Sequence, residues 1–232
     1  MKLKACINGP RTPDEHHAVP VTAAQISAES VAAAAAGAEA IHVHPKNPDG
    51  TDSLAAEHVA TAVNAARAGG VPVGVTTGAW STPDLRSRLA AIASWTVLPD
   101  FASVNWHEDG AAEVAQLLLD RGVDVEAGLW TVDAARRWLE SGLQHRCIRA
   151  LLEVQPDAAA DVAYDLLPLV PAGVDVLLHG QGPSCWEVLR IAAAEGIASR
   201  IGLEDSLLLP DGSSARGNAD LVTAALAEFR GR

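Results

Sequence analysis

Residues 23–45 read AAQISAESVAAAAAGAEAIHVHP and contain one complete helix–strand unit of the chain. The alanine-rich segment 23–36 predicts a helix, because alanine has the highest helix propensity of all residues. Gly37 suits the helix end, since glycine adopts the left-handed conformation without steric cost. The short apolar run 40–44 predicts a strand, and Pro45 ends it because proline has no N–H to donate to a neighbouring strand.

The same helix–strand unit recurs along the whole chain. The predicted strands are residues 3–8, 40–44, 72–76, 101–105, 123–127, 147–154, 174–178 and 200–203. The predicted helices are residues 23–36, 54–68, 83–95, 111–121, 132–141, 158–170, 186–194 and 219–229. Strands that alternate with helices predict a parallel sheet. Eight such units in 232 residues predict an α/β protein with a single (β/α)8 TIM barrel domain over residues 1–232.

An open, doubly wound sheet is the alternative architecture for this alternation. Such a fold commonly carries Gly-x-Gly-x-x-Gly after its first strand, where the glycines let the backbone approach a phosphate. The corresponding segment here reads Cys6-Ile7-Asn8-Gly9-Pro10. The sequence therefore favours the barrel.

Composition restricts the function classes. A net charge of −12 argues against a nucleic-acid-binding protein, whose contact surface would be basic. No stretch is long enough to span a bilayer, and residues 1–4, MKLK, do not begin a secretory signal. Cys6, Cys147 and Cys185 are few and lie in or beside apolar segments, which indicates buried thiols in a reducing compartment. We therefore expect a cytoplasmic protein that binds no nucleic acid and no membrane.

The pair His42 and His44 is the first candidate for chemistry. In a strand, alternate side chains leave the same face, about 6.5–7 Å apart along the backbone. Two neutral imidazole nitrogens can then bind one metal ion, each at roughly 2.0–2.1 Å for zinc. The alternative is a pair of structural or exposed histidines.

Polar residues follow nearly every predicted strand. In a (β/α)8 barrel the chemistry takes place at the carboxyl ends of the strands, so these residues predict an active site at that face. Four tryptophans also follow predicted strands, and Trp80, Trp106, Trp130 and Trp186 are candidates either for a pocket wall or for the core. Trp95 and Trp138 lie inside predicted helices and are expected in the core. The polar residues are Asn8, Arg11, Glu15, His16, Thr76, Thr77, Asn105, His107, Glu108, Glu126, Glu153, His179, Gln181, Glu204 and Asp205.

Glu204 is the candidate third metal ligand. In a barrel the eighth strand lies beside the first and the first beside the second, so this carboxylate can reach His42 and His44. Two histidines and one glutamate leave a coordination position open, which is typical of a catalytic zinc site. The alternative for Glu204 and Asp205 is a helix cap or a surface pair.

Arg200 lies four residues before Glu204 and is expected to point into the barrel. A buried arginine must pair with carboxylates, because an unpaired buried charge is strongly destabilising. The alternative is that Arg200 precedes the strand and is solvated. Its candidate partners are Asp205, Glu126 and Glu15.

A set of motifs in chain order resembles the β-keto acid cleavage enzymes, the family of 3-keto-5-aminohexanoate cleavage enzyme. The most specific of them is Arg200-Ile201-Gly202-Leu203-Glu204-Asp205, followed by Asn218-Ala219. The others are Asn8-Gly9-Pro10-Arg11, Pro20-Val21-Thr22, His42-Val43-His44-Pro45, Thr76-Thr77-Gly78, Asn105 and Glu126.

The resemblance implies a (β/α)8 barrel that binds Zn²⁺ through His42, His44 and Glu204. It implies a reaction in which a β-keto acid and the co-substrate acetyl-CoA give acetoacetate and a new acyl-CoA, and a homo-oligomeric assembly. Asp205 and Arg200 would serve deprotonation, with Glu126 as the next candidate base. The residues that match Thr76, Asn105 and Glu126 would line the substrate. The other candidate substrate-binding residues lie at or near the predicted strand ends and are Arg11, Glu15, Thr77, Gly78, Trp80, Trp106 and His107.

This chain departs from the family pattern in three places. Arg11 and Thr76 stand where an acidic residue and a serine are expected, and Pro156-Asp157-Ala158 replaces a longer glycine-rich loop that would bear on the binding of CoA. Acidic residues and tryptophans near the predicted site favour a substrate tail that is apolar or cationic, whereas an inward-pointing Arg11 would favour a second carboxylate. Two other functions remain open: a metal-dependent hydrolase on the same fold and a non-catalytic, metabolite-binding barrel.

Overall fold

The computed structural model describes residues 3–230, in which eight strands alternate with eight α-helices. The strands are β1 Leu3–Cys6, β2 Ala40–Val43, β3 Val73–Thr76, β4 Phe101–Asn105, β5 Asp124–Leu129, β6 Arg149–Val154, β7 Val176–Gly180 and β8 Ser199–Ile201. The helices are α1 Ala23–Ala35, α2 Ala56–Ala66, α3 Leu85–Ala93, α4 Ala111–Asp120, α5 Val132–Ser141, α6 Val162–Leu166, α7 Cys185–Ala194 and α8 Asn218–Arg230.

All strand pairs in the sheet are parallel, in the order β7-β6-β5-β4-β3-β2-β1-β8. The two ends of this sheet approach each other, since Leu177 forms a parallel bridge with Ala198 and the Leu178 N–H donates to the Ala198 carbonyl at 2.9 Å. The predicted single-domain (β/α)8 barrel is confirmed. No helix within residues 3–230 has the length and apolar character that crossing a bilayer requires.

The core lies mainly between the strands and the surrounding helices. Trp95 and Trp138 are buried there, as predicted. Trp106 is also only 2% exposed and belongs to the same core, so its candidate place in the pocket wall is corrected. The physical reason is strand alternation: Asn105 faces the barrel interior, and the next side chain along the extended backbone turns outward toward the helices. Cys6, Cys147 and Cys185 are buried and free, as expected.

Two element boundaries differ from the sequence prediction in ways that matter for the site. Strand β5 continues to Leu129, two residues beyond its predicted end, so Glu126 lies within the strand and not at its carboxyl end. The helix predicted over residues 158–170 is shortened to α6 and a 3₁₀ turn, Leu167–Leu169. Pro168 explains the early end of α6, because proline lacks the N–H that a longer helix would need at that position.

Candidate metal centre and substrate cavity

A cavity of about 260 Å³ opens at the carboxyl ends of the strands. This is where catalytic sites of (β/α)8 barrels occur. Each of the eight strands, or the segment that follows it, contributes at least one residue to it. The lining residues are Pro10, His42, His44, Thr76, Trp80, Ser103, Asn105, Trp130, Leu151, Glu153, Gln181, Arg200 and Glu204.

His42, His44 and Glu204 converge at one wall of this cavity. The Nε2 atoms of His42 and His44 lie 3.8 and 3.7 Å from the two carboxylate oxygens of Glu204. One ligand atom from each residue lies within 4.8 Å of the others, and all three residues are buried. Ligands of a tetrahedral zinc ion at 2.0–2.2 Å are roughly 3.4 Å apart, so small movements would complete the coordination.

The donor set fits a divalent cation. Glu204 Oε2 is buried and accepts no hydrogen bond within residues 3–230. A buried polar atom without a partner costs about 1–3 kcal/mol, more when it is charged. A cation between Glu204 and the two imidazoles would contact this oxygen and remove that cost.

Two of the three residues already favour the protonation state that binds metal. Burial lowers the pKa of His42 well below its usual value, which keeps the imidazole neutral. Burial by itself would raise the pKa of Glu204, but Arg200 and both histidines outweigh it and lower the pKa well below its usual range. His44 differs: burial lowers its pKa, but Asp52 and Glu204 raise it to about 9. In the metal-free protein His44 therefore carries a proton that a metal ion must displace.

Two asparagines fix the backbone around the ligands. The Asn8 side chain donates to the His44 carbonyl at 3.0 Å and accepts from the His44 N–H at 2.8 Å, so it continues the β1–β2 pairing beyond the end of β1. Asn218 accepts from the Leu203 N–H at 2.9 Å and donates to the Ile7 carbonyl at 3.0 Å. The segments that carry His44 and Glu204 are thereby tied to the same end of β1.

Arg200 points into the barrel, as expected, and connects the candidate metal ligand Glu204 to Asp205 through hydrogen bonds. Its guanidinium donates to Glu204 Oε1 at 2.9 Å and to Asp205 Oδ1 at 2.7 Å. Burial disfavours the charged guanidinium, but Asp205 and the other carboxylates outweigh this and raise the pKa of Arg200. Of the three expected partners only Asp205 pairs with Arg200 among the described residues, and Asp205 Oδ2 is buried without a hydrogen-bond partner there.

A second buried pair continues this network. Arg200 Nε also donates to His179 Nδ1 at 3.1 Å, and His179 Nε2 lies 3.2 Å from Glu153 Oε2. Burial would raise the pKa of Glu153, but His179 and Arg200 lower it, so the carboxylate that faces the cavity is ionised.

Glu126 lies away from the cavity. Its carboxylate contacts Lys4 Nζ at 2.5 Å and Arg149 Nε at 3.1 Å, and both Lys4 and Glu126 are fully buried. These contacts belong to the first residues of β1 and β6, at the opposite end of the strands from the metal ligands. The expected place of Glu126 at the substrate is therefore corrected: it is an ion-pair partner inside the barrel.

The candidate substrate-binding residues divide into two groups. Thr76, Trp80 and Asn105 line the cavity. Thr77, one residue after Thr76, faces the other side of the sheet and donates to the Ser103 carbonyl at 2.7 Å. Gly78 lies under Trp80, where a side chain would clash with the indole ring.

Arg11, Glu15 and His107 also lie outside the cavity lining. Arg11 and Glu15 pair with each other at 2.7 Å, one turn apart in the loop after β1. The His107 ring packs against Trp130 at 4.0 Å between centroids. The prediction that Arg11, Glu15 and His107 line the cavity is therefore corrected, because each of them pairs with a neighbour outside it.

Several residues of the site had no role in the sequence prediction. Asp52 contacts the Nδ1 atom of His44 at 2.7 Å, and Lys46 contacts Asp52 at the same distance. Burial raises the pKa of Asp52, but His44 and Lys46 lower it to about 2. A metal-binding histidine commonly donates its other N–H to a carboxylate, and this rule is the signal that could have suggested an acidic residue near His44. The other lining residues without a predicted role are Ser103 and Leu151, whereas Trp130, Glu153 and Gln181 line the cavity at the predicted strand ends.

The fold and the site together define the class of protein: a (β/α)8 barrel whose cavity and candidate metal ligands lie at the carboxyl ends of the strands. The particular family is given by the sequence. The chain belongs to the beta-keto acid cleavage enzyme family, which it matches over residues 1–231. The resemblance in the motifs around Arg200 and Glu204 is thereby confirmed.

One curated relative has an assigned activity. The 3-keto-5-aminohexanoate cleavage enzyme of Fusobacterium nucleatum is 28% identical over 239 residues, which cover 95% of this chain and 88% of that enzyme. Solved structures share the fold at lower identity. Type I 3-dehydroquinate dehydratase from Clostridium difficile has a TM-score of 0.60 at 15% identity, over 87% of this chain and 83% of that one. Phospho-2-dehydro-3-deoxyheptonate aldolase from Thermotoga maritima has a TM-score of 0.61 at 11% identity, over 100% and 68%.

Proposed function

We propose that this protein is a zinc-dependent β-keto acid cleavage enzyme that converts a β-keto acid and acetyl-CoA into acetoacetate and a new acyl-CoA. The observation that carries the proposal is the buried convergence of His42, His44 and Glu204 beside the Arg200–Asp205 pair, in a chain of this family. The relative from Fusobacterium nucleatum, which is named for cleavage of a β-keto acid, supports the same reaction class.

His42, His44 and Glu204 would hold the metal ion, which would polarise the ketone and carboxylate oxygens of the keto acid as a Lewis acid. Asp205 would accept the proton from C2 of the substrate. Asp205 is fully buried and is not among the residues that line the cavity, so the substrate would have to reach it beside Arg200. Its Oδ2 atom would be the acceptor, because Oδ1 already accepts two N–H groups of Arg200. Arg200 would hold the carboxylate in place, and the buried position would exclude water from the proton transfer.

The carbon chemistry then follows from the deprotonated keto acid. Its C2 attacks the thioester carbonyl of acetyl-CoA, and the CoA thiolate leaves. The thiolate attacks the original ketone carbon, and the C2–C3 bond breaks. Protonation of C2 gives acetoacetate, and the remaining acyl group departs as the new acyl-CoA.

The test is a measurement of acetyl-CoA consumption against a panel of β-keto acids in the presence of zinc. We expect acetoacetate and one matched acyl-CoA in equal amounts. Turnover of a substrate without CoA would support the metal-dependent hydrolase instead. Saturable binding of a keto acid without any turnover would support the non-catalytic barrel.

Zinc stoichiometry provides a separate check. The wild-type protein should bind about one ion per chain, because the two histidines and the glutamate form a single site. His44→Ala should lose most of this metal. Unchanged occupancy in His44→Ala would place the metal elsewhere. The homo-oligomeric state and the cytoplasmic location stay predictions, and size-exclusion chromatography with light scattering tests the first.

A further inference from the structure

Asp52 has a buried carboxylate, and both of its oxygens have polar contacts with His44 or with residues near it. His44 Nδ1 lies 2.7 Å from Asp52 Oδ2, and the Trp80 indole N–H donates to the same oxygen at 2.8 Å. Lys46 Nζ donates to Asp52 Oδ1 at 2.7 Å. The Asp52 side chain is 4% exposed, so these contacts are shielded from water.

The segment that carries Asp52 is built to place it there. Residues Lys46 and Asp52 form an antiparallel bridge, and the Asn47 N–H donates to the Thr51 carbonyl at 2.8 Å. Lys46 also donates to the Gly9 carbonyl at 2.6 Å, which ties this small hairpin to the loop after β1. The position of Asp52 is therefore fixed from two sides.

The hydrogen bond to Asp52 determines which nitrogen of His44 is available to a metal ion. A carboxylate that receives N–H groups from Lys46 and Trp80 accepts from His44 Nδ1 as well, so Nδ1 carries the proton. The other nitrogen, Nε2, faces Glu204 at 3.7 Å. His42 has no such support, because its Nδ1 atom is buried without a hydrogen-bond partner within residues 3–230.

We infer that Asp52 is a positioning residue of the metal centre: it holds the His44 ring so that Nε2 points at the position between His42 and Glu204. The inference rests on the metal site of the proposed function. His44 is then the anchored ligand of the pair and His42 the adaptable one. Supporting carboxylates of this kind contribute roughly 10- to 100-fold in metal affinity.

Trp80 contacts both Asp52 and His44 and also lines the cavity. Its ring stacks on His44 with 6.1 Å between centroids and an angle of 21°, and it is 51% exposed at the cavity wall. Trp80→Phe removes one of the N–H groups that hold Asp52 but keeps an aromatic ring in the stack. We expect it to weaken metal binding only a few-fold, because Lys46 still holds the other carboxylate oxygen.

The experiment measures the zinc affinity of the full-length protein by competition with a chelating indicator, without keto acid or CoA. Asp52→Asn and Asp52→Ala are compared with wild type and with Asp49→Asn. The control residue is in the same hairpin but exposed, and its side chain accepts only from Thr51 among the described residues. We expect a loss of roughly 10- to 100-fold for Asp52→Ala and a smaller loss for Asp52→Asn, with Asp49→Asn unchanged.

A readout independent of stability separates positioning from folding. The visible spectrum of the Co²⁺-substituted protein reports the geometry of the ligand set, and it should change in Asp52→Asn even where the melting temperature of the metal-free protein does not. Zinc affinity and a cobalt spectrum both equal to wild type in Asp52→Asn and Asp52→Ala would overturn the inference. Wild-type protein that binds neither metal would overturn it together with the metal site, whereas tight binding without turnover would overturn only the proposed reaction.

Discussion

The α-carbon of Gly9 lies directly against the side chain of Glu204. A Cβ atom at Gly9 would stand 2.4 Å from Glu204 Cγ, far inside van der Waals contact. Gly9 also has a φ of +58°, in the left-handed region that other residues rarely adopt. The loop after β1 can therefore pass beside the metal ligand only with glycine at this position.

We predict that Gly9→Ala displaces Glu204 and lowers zinc affinity at least about tenfold, since a misplaced ligand weakens the whole site. Gly122→Ala is the matched control, because Gly122 has a φ of +77° but open space around its α-carbon. It carries the same backbone strain without the clash. Chelator competition measures both variants, and equal affinities would contradict the prediction.

Zinc affinity should depend on pH through a single proton. The pKa of His44 is raised to about 9 in the metal-free protein, so at neutral pH the metal must displace a proton from this residue. His42, with its lowered pKa, is already neutral, and Glu204 is already ionised. The logarithm of the apparent affinity should therefore rise by about one per pH unit between roughly pH 6.5 and 8.5. A slope of zero or two would contradict this assignment of protons.

Glu126→Gln should reduce stability and leave metal binding intact. The substitution removes the charge that Lys4 and Arg149 face inside the barrel, which leaves a buried cation unpaired. We expect a decrease of about 2–4 kcal/mol in the free energy of unfolding, measured by urea denaturation. The exposed Glu140→Gln serves as the control, with an expected change of less than about 0.5 kcal/mol. If Glu126→Gln instead abolishes turnover at unchanged stability, Glu126 acts in the chemistry.

Asp205→Asn should keep zinc and lose turnover. Asparagine has nearly the same size, but its amide accepts no proton, so the rate should fall by roughly 10²- to 10⁴-fold. Asp220→Asn is a suitable control because Asp220 pairs with Arg216 at the surface. Near-full activity of Asp205→Asn with normal zinc content would show that another group takes the proton, with the cavity-facing Glu153 the next to test.

The substrate tail should be neutral or cationic. Two acidic residues line the cavity, the candidate metal ligand Glu204 and Glu153, and Trp80 and Trp130 form part of its wall. Aromatic faces attract ammonium groups by roughly 0.5–2 kcal/mol. Matched β-keto acids with neutral, cationic and anionic tails measure the preference, and Glu153→Gln should reduce that for the cation. A preference for the anionic tail would indicate that Arg11 leaves Glu15 and turns inward.

The local sequence was sufficient for the barrel and for the two histidines. The alternation of alanine-rich helices with short apolar strands depends on period and propensity, which are properties of neighbouring residues. The spacing of His42 and His44 places both rings on one face of a strand by the same period. Glu204 needed one further step, the adjacency of the first and last strands, and the family motif Arg200–Asp205 supplied it independently.

Only the tertiary structure decided which polar residues meet. Asp52 reaches His44 because the hairpin closed by Lys46 and Asp52 turns the chain back. Glu153 reaches the Arg200 network because β6 lies beside β7. The predicted position of Glu126 was wrong because β5 runs two residues further than predicted. Its carboxylate therefore lies deeper in the barrel, where it contacts Lys4 and Arg149. A sequence specifies the side of a strand on which a residue lies. How deep that residue sits in the barrel, and which charge faces it, depend on strand ends and register, and these are set by packing across the whole sheet.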